Sequence, residues 1–301
     1  MNHLAGTSER KSEMTASLVT VFGATGLAGG AVARSFAKAG WTVQAATRDT
    51  ESEQARALAA SGIVPVYADL DERASIRQAI EGSAVVYLSG PSLTNRWDVG
   101  QAVQGINVCD AVAEVATPHF IYQSAMVREA RGVLGFGSKR AIEERIAELG
   151  ISATISRPGI FMDIFLERFP VRRTNEGYEL VFPLPADCLL DLIAVEDVGR
   201  AAVAVATDPD KHVGQTYELV GDNISFRDIA RTLTEQLGAP VKAVSLPVEQ
   251  LAQAWPQGEG LFRWFASART LASPDEGQAL VGSMQDFRTW AIMHGDALSR
   301  F

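Results

Sequence analysis

From Ser17 onward, short β-rich apolar runs alternate with Ala-rich stretches of helical period. The runs are SLVTVFG from residue 17, TVQAAT over 42–47, VPVYADL over 64–70, AVVYLSG over 84–90, HFIYQSA over 119–125 and ISATISRPG over 151–159. Helices are predicted between them at about 27–40, 51–60, 72–81, 99–116 and 137–149. Runs such as LVTVF and AVVYL lack the in–out alternation of a half-solvated strand, so they predict strands buried on both faces, as in a parallel sheet. Strand–helix alternation in units of about 20–30 residues is the pattern of a doubly wound sheet, and right-handed crossovers leave its topology little freedom.

After residue 160 the regularity weakens. Short strands are predicted near 179–183, 189–194 and 217–221, and VEDVGRAAVAVATD over 195–208 reads as a helix. SFRDIARTLTEQLG over 225–238 carries both of its boundaries: Ser225 as N-cap with Asp228 at capping-box spacing, and Gly238 where a C-cap glycine belongs. The tail after 247 is predicted mostly helical, with Trp255, Phe262, Trp264, Phe265, Phe287 and Trp290 lining a core rather than a substrate pocket. The expected fold class is α/β, a Rossmann-like doubly wound parallel sheet with a smaller C-terminal α/β annex. Residues 1–16 form a flexible lead-in, 17–160 the sheet domain to which later strands return, and 161–301 the smaller substrate- or partner-binding region.

Composition narrows the function classes. With 301 residues, 47% hydrophobic and 21% charged, the chain excludes wholesale disorder and fibrous repeats. Its net charge of −9 argues against nucleic acid or an anionic membrane as the main partner. Cys109 and Cys188 are too few for a disulfide framework or a cysteine zinc site, which fits a reducing, cytoplasmic compartment. No run approaches the roughly 18 apolar residues that span a bilayer. The lead-in MNHLAGTSERKSEMTA lacks a signal peptide's apolar stretch, and its Met14 is a second candidate start.

VTVFGATGLAGGAVARSFAKAG sets Gly23, Gly26 and Gly29 between the first strand and the first helix. Gly23 permits a tight turn, Gly26 lets backbone N–H groups approach a pyrophosphate, and Gly29 allows helix to pack closely on strand. The helix N-terminus beyond offers N–H donors and a positive dipole end to an anion. In this context the triplet predicts dinucleotide binding.

The strand ends refine that reading. The second strand ends in Arg48 and Asp49 with no acid inside the strand; an Arg there suits the 2′-phosphate of NADP(H), so NADP(H) is favoured over NAD(H). The alternative is that Arg48 is a solvated strand-end charge. Asp69 and Leu70 close the third strand, where a carboxylate can accept from the adenine amino group or cap the next helix. Ser89, Gly90 and Pro91 end the fourth, where small residues let backbone pass close to the cofactor.

GATGLAGG, followed by ATRD, ADLD, YLSGPS, GSKRAIEERI and SRPGIFMDIF, resembles the NmrA-like branch of the atypical short-chain dehydrogenase/reductase superfamily, over about residues 17–295. LLDLIAVEDVGRAAVAVATDP, GQTYELVGDNISFRDIARTL and QDFRTWAIMHGDAL are also similar. The resemblance implies an NADP(H) site in the sheet domain with a small C-terminal domain over the cleft. It implies that Gly23, Ala24, Thr25, Gly26, Leu27 and Ala28 hold the pyrophosphate, Arg48 the 2′-phosphate and Asp69 the adenine. Lys139 then meets the nicotinamide ribose, and Pro158, Gly159, Phe161 and Met162 line the nicotinamide end. The family holds both reductases of quinones or small carbonyl compounds and non-catalytic NADP(H) sensors that bind other proteins.

A Tyr-x-x-x-Lys pair, in which lysine lowers the tyrosine pKa for proton transfer, is missing. Gly135 stands four residues before Lys139, the only lysine between Lys38 and Lys211. A Tyr-dependent alcohol dehydrogenase and a sugar epimerase are thereby disfavoured. Ser124, ending the fifth strand, is the remaining polar candidate beside Lys139 for a catalytic role; its alternative is a hydroxyl bonded to nearby backbone. Tyr122 reads as packing and His119 as a loop or strand-start residue, while His212 and His294 lie outside any catalytic spacing. No His, Asp and Glu stand at metal-ligand spacing, so no metal is expected, and no nucleophile elbow occurs. The expected function is an NADPH-dependent reductase of a quinone or a small carbonyl or unsaturated compound; the alternative is a cofactor sensor with a protein partner. Nothing in the sequence argues against an oligomer.

Overall fold

Strands with apolar residues on both faces need helices on both sides, and the first half of the chain supplies them in turn. In the computed structural model, which describes residues 17–90, 99–126, 136–256, 258–267 and 271–300, β1 (Leu18–Phe22) leads into α1 (Leu27–Lys38) and β2 (Thr42–Thr47) into α2 (Glu53–Ala59). β3 (Val64–Tyr67), α3 (Arg73–Ile80), β4 (Val85–Ser89), α4 (Val99–Val115), β5 (His119–Gln123), α5 (Gly137–Glu148) and β6 (Ala153–Pro158) follow. These strands are parallel and lie in the order β3-β2-β1-β4-β5-β6. The order reverses between β1 and β4, the switch point where ligands bind in such sheets. The lead-in and Pro91 lie outside the described residues.

Beyond residue 160 come β7 (Ile160–Phe161), α6 (Ile164–Glu167), β8 (Arg172–Thr174), β9 (Gly177–Phe182), β10 (Leu189–Ile193), α7 (Val195–Thr207), α8 (Pro209–His212) and β11 (Thr216–Leu219). β11 returns to the main sheet beside β6, in parallel, as its seventh strand. α7 covers the face shared with α1, where small residues let the helices touch: a Cβ on Gly199 would lie 2.3 Å from the Ser35 hydroxyl oxygen. One face of the sheet buries Val19, Val21, Tyr87 and Ile121 with Val32, Phe36 and Val198. The other buries Phe22, Leu88, Phe120 and Tyr122 with Ile76, Val108 and Ile142.

The annex adds β12 (Asp222–Ser225), α9 (Phe226–Leu237), β13 (Val241–Ser245), α10 (Val248–Ala254), α11 (Gly258–Ala266), α12 (Asp275–Val281), α13 (Phe287–Met293) and α14 (Gly295–Leu298). Its strands form two small sheets, β12-β10-β7 and β13-β9-β8. The Ser225 hydroxyl accepts from the Asp228 N–H at 3.1 Å, and Gly238 ends α9 with φ +65°, so both predicted boundaries stand. Of the tail aromatics, Phe262, Phe287 and Trp290 are buried in the annex core, with Trp255 and Phe265 packed against it. Trp264 departs from that expectation and reaches Phe136, ring centroids 5.3 Å apart. Among the described residues no helix is long and apolar enough to cross a membrane.

Candidate functional site

The glycine turn sits at the switch point with its outer face open. Gly23 has φ +78°, a conformation that disfavours any side chain, and a Cβ there would meet the Ser89 carbonyl oxygen at 3.1 Å. A Cβ on Gly29 would lie 2.2 Å from the Gly23 carbonyl oxygen, so helix and turn close only without one. Gly23 and Gly26 are exposed, whereas Ala24 and Ala28 are buried; Thr25 and Leu27 are half-buried between them. Gly26 is the N-cap of α1, no side chain caps it, and no acid stands in the first turn. The first N–H groups of this 12-residue helix therefore have no acid in their own turn and no capping side chain. A helix start without a side-chain cap, behind a turn whose exposed positions are Gly23 and Gly26, fits a dinucleotide pyrophosphate.

Arg48, past the end of β2, is exposed and has no partner among the described residues. Its neighbour Asp49 orders the following turn, Oδ1 accepting from the Glu51 N–H at 2.9 Å. Asp69 is half-buried after β3, and its Oδ1 accepts from the Asp71 N–H at 3.0 Å, so the carboxylate orders the turn before α3 rather than capping the helix itself. Leu70 packs on the sheet face below, its carbonyl held by the Asn107 amide at 2.8 Å.

At the end of β4, Ser89 abuts the glycine turn and Gly90 abuts Lys139: a Cβ on Gly90 would lie 2.8 Å from Lys139 Nζ and 3.6 Å from the Gln123 carbonyl oxygen. Lys139, in the first turn of α5, thus brings its ammonium to the carboxyl edge of β4 and β5. Burial lowers the Lys139 ammonium to about 8, with Glu143 pulling the other way. Glu143 is itself engaged by Arg157 of β6, at 3.0 Å through Nε. Ser124 is buried, its N–H donates to the Ser156 carbonyl at 2.8 Å, and its hydroxyl interacts with the Tyr122 phenol. Tyr122 shares that strand face, and its phenol is raised well above the ordinary range by burial first and Glu143 second. Tyr87, raised likewise by burial, donates to Gln123 Oε1 at 2.7 Å. Both phenols hold their protons. His119 is buried at the opposite end of β5, 2.8 Å from the Thr154 hydroxyl, and burial lowers it to about 4.

Residues 158–162 divide between two tasks. Pro158 is buried at the end of β6, and a Cβ on Gly159 would lie 2.4 Å from the Asp191 carbonyl oxygen, so this glycine serves the packing of β10. Phe161 is half-buried and packs beside Leu27, Ala28, Ala31 and Val195, next to the glycine turn. Met162 differs from expectation: its side chain is fully buried in the annex core.

Three features had no signal in the linear sequence. The Tyr87–Gln123 pair under the switch point joins two strands whose side chains read as ordinary core. The Trp264–Phe136 contact joins α11 to the residue that opens α5. Asp163, Glu196 and His294, far apart in the chain, come together with a ligand atom of each within 4.8 Å of the others. Linear spacing had predicted no such cluster.

The NmrA-like family profile matches residues 15–267. An NmrA-like family domain-containing oxidoreductase of Aspergillus japonicus is 28% identical over 273 residues, 82% of each chain. An NAD(P)H azoreductase of Xenophilus azovorans is 26% identical over 265 residues, 86% of this chain and 88% of that one. The crystal structure of an NADPH-dependent quinone oxidoreductase of Escherichia coli, complexed with NADPH, superposes with a TM-score of 0.73 at 25% identity, over 92% of this chain and 99% of that one.

Proposed function

The chain belongs to the NmrA-like family, and on that premise we propose that it is an NAD(P)H-dependent oxidoreductase, with NADP(H) preferred, that reduces a quinone or a small carbonyl or unsaturated compound. The observation that carries this reading is the placing of Lys139 Nζ against Gly90, at the same sheet edge as the uncapped glycine turn. The azoreductase and the quinone oxidoreductase among its relatives support it.

A nicotinamide cofactor supplies the hydride when bound. The chain's own residues bind and orient it: the turn over Gly23, Ala24, Thr25, Gly26, Leu27 and Ala28 takes the pyrophosphate, Arg48 the 2′-phosphate, and Asp69, through the oxygen its turn leaves free, the adenine amino group. Ser89 and Gly90 keep the end of β4 low enough for the cofactor to cross. Lys139 donates to the ribose hydroxyls while protonated, and a pKa near 8 suits it to pass a proton near neutral pH. The two buried phenols, Tyr87 and Tyr122, are too weakly acidic for that task. An acceptor that needs hydride and little acid assistance matches this outfit. Ser124, whose buried hydroxyl lies beside this edge, is the second polar group offered to the acceptor.

The test is turnover by the full chain with NADPH against a panel of quinones, azo compounds and simple aldehydes. NADPH loss is expected with quinones at a kcat/KM above that for aldehydes. Tight NADPH binding with no turnover of any acceptor would overturn the reductase reading and return a cofactor sensor that answers to a protein partner.

A further inference from the structure

Asp163 follows β7, Glu196 stands in the first turn of α7, and His294 caps the end of α13. One ligand atom from each lies within 4.8 Å of the other two. Asp163 is only 5% exposed, and its Oδ2 is buried without a partner; Glu196 Oε2 is enclosed in the same way. Two carboxylate oxygens withdrawn from water and given no donor are strongly disfavoured unless something positive lies between them.

The histidine is held ready to ligate. Its Nδ1 lies 2.9 Å from the Trp290 carbonyl oxygen, to which it donates, and its ring stacks on the Trp290 indole with centroids 4.7 Å apart. That bond assigns Nδ1 as the donor and leaves Nε2 as the nitrogen that a neutral ring would turn to a metal, the arrangement usual in metal-bound imidazoles. No hydrogen bond or ion pair joins the three residues to one another. Two carboxylates with unpartnered buried oxygens and one imidazole, gathered from three segments, make a donor set that a cation fits.

We propose that Asp163, Glu196 and His294 form a binding site for a first-row divalent cation of the zinc class. One imidazole with two carboxylates suits zinc or its neighbours better than calcium or magnesium, which take six or more oxygens or keep their water. Ligand bonds of about 2.0–2.2 Å need the donors to close by roughly 1 Å, within the reach of side-chain rotation. Three protein ligands leave a fourth position for water. The ion ties the C-terminal helices to the start of α7, whose Val195 packs on Ala28 and Ala31 behind the glycine turn.

The test uses metal-depleted full-length protein and Zn2+ alone, then Co2+ as a spectroscopic probe. One equivalent of Zn2+ is expected to bind and raise Tm, and Co2+ is expected to give the visible bands of a four- or five-coordinate site. Glu196→Gln and His294→Gln should each weaken Zn2+ binding at least tenfold. Absence of Zn2+ uptake by the native protein, or unchanged affinity in both variants, would overturn the proposal. If either variant fails to fold, ring-15N spectra of the native protein decide: Zn2+ should move the His294 resonances, and movement confined to His3, His119 or His212 would refute the site.

Discussion

Lys139 and Gly90 are matched by shape: a methyl group at residue 90 would come 2.8 Å from the Lys139 Nζ. Among the described residues no carboxylate is hydrogen-bonded to the ammonium, which Glu143 attracts from a distance; the missing side chain makes its room. Gly90→Ala would displace the end of a flexible side chain and no backbone. Its Tm should therefore stay within about 2–4 °C of the native protein, the shift expected of about 1 kcal/mol at this size. NADPH affinity should fall roughly three- to tenfold, the loss of about one charge-assisted hydrogen bond in part. Titration calorimetry with a parallel thermal melt checks both. Unchanged affinity would mean that Lys139 does not reach the cofactor.

Lys139 also sets a trade between stability and function. Its folded pKa, about 8, lies below the 10.5 of a free lysine, and the largest cause is burial. Between those values the unfolded chain binds more protons than the folded one, so stability rises with pH across that window and the penalty is complete below pH 8. Lys139→Met removes the penalty. The variant should be more stable than the native protein at pH 7 by about 1–3 kcal/mol, with the difference vanishing above the free-lysine value. Its kcat/KM with NADPH should fall at least tenfold. Urea unfolding at neutral and alkaline pH measures the first effect; a variant less stable at pH 7 would contradict it.

The half of the fold that holds the glycine turn was legible because its signals are local. Apolar runs four to six residues long recur between helices, and Gly23, Gly26 and Gly29 fall where turn, backbone approach and packing each exclude a side chain. The annex was less legible because β7, β8 and β12 have two to four residues, too few for any period to show. Ser225 and Gly238 were readable there because capping, too, is local. Met162, which the resemblance put at the nicotinamide end, turns its side chain into the annex core, a placing set by tertiary packing that no local pattern signals. Trp264 and His294 act through contacts made only by the tertiary fold, across separations that carry no sequence pattern.

Trp264 gives the annex a hand in the site. It meets Phe136 edge-on at 5.3 Å, and Phe136 is the N-cap of the helix that carries Lys139. Trp264 is half-buried and lies outside the annex core, so Trp264→Ala should change stability by about 1 kcal/mol or less. A flat acceptor packed against that ring would lose an aromatic contact worth about 0.5–1.5 kcal/mol beyond its buried area, so KM for a quinone should rise roughly three- to tenfold. The NADPH Kd should not move. Steady-state kinetics beside cofactor titration separates the two, and equal losses in both would make Trp264 a structural prop.

Arg48 carries the choice between cofactors. It is exposed and unpaired among the described residues, and the acid beside it, Asp49, lies past the strand end with Oδ1 accepting from the Glu51 N–H. A partly exposed charge-assisted contact to a phosphate is worth about 1.5–3 kcal/mol, so Arg48→Ala should weaken NADPH binding roughly ten- to a hundredfold. NADH binding should be almost unchanged, because that cofactor has no 2′-phosphate to lose. Added salt should narrow the native preference for NADPH, since an exposed contact is screened over a Debye length of about 8 Å at physiological ionic strength. Fluorescence titration of both cofactors at low and high salt gives all of these values. Equal losses for NADPH and NADH in the variant would assign Arg48 to the architecture of the strand end, and tighter native binding of NADH would defeat the NADP(H) preference outright.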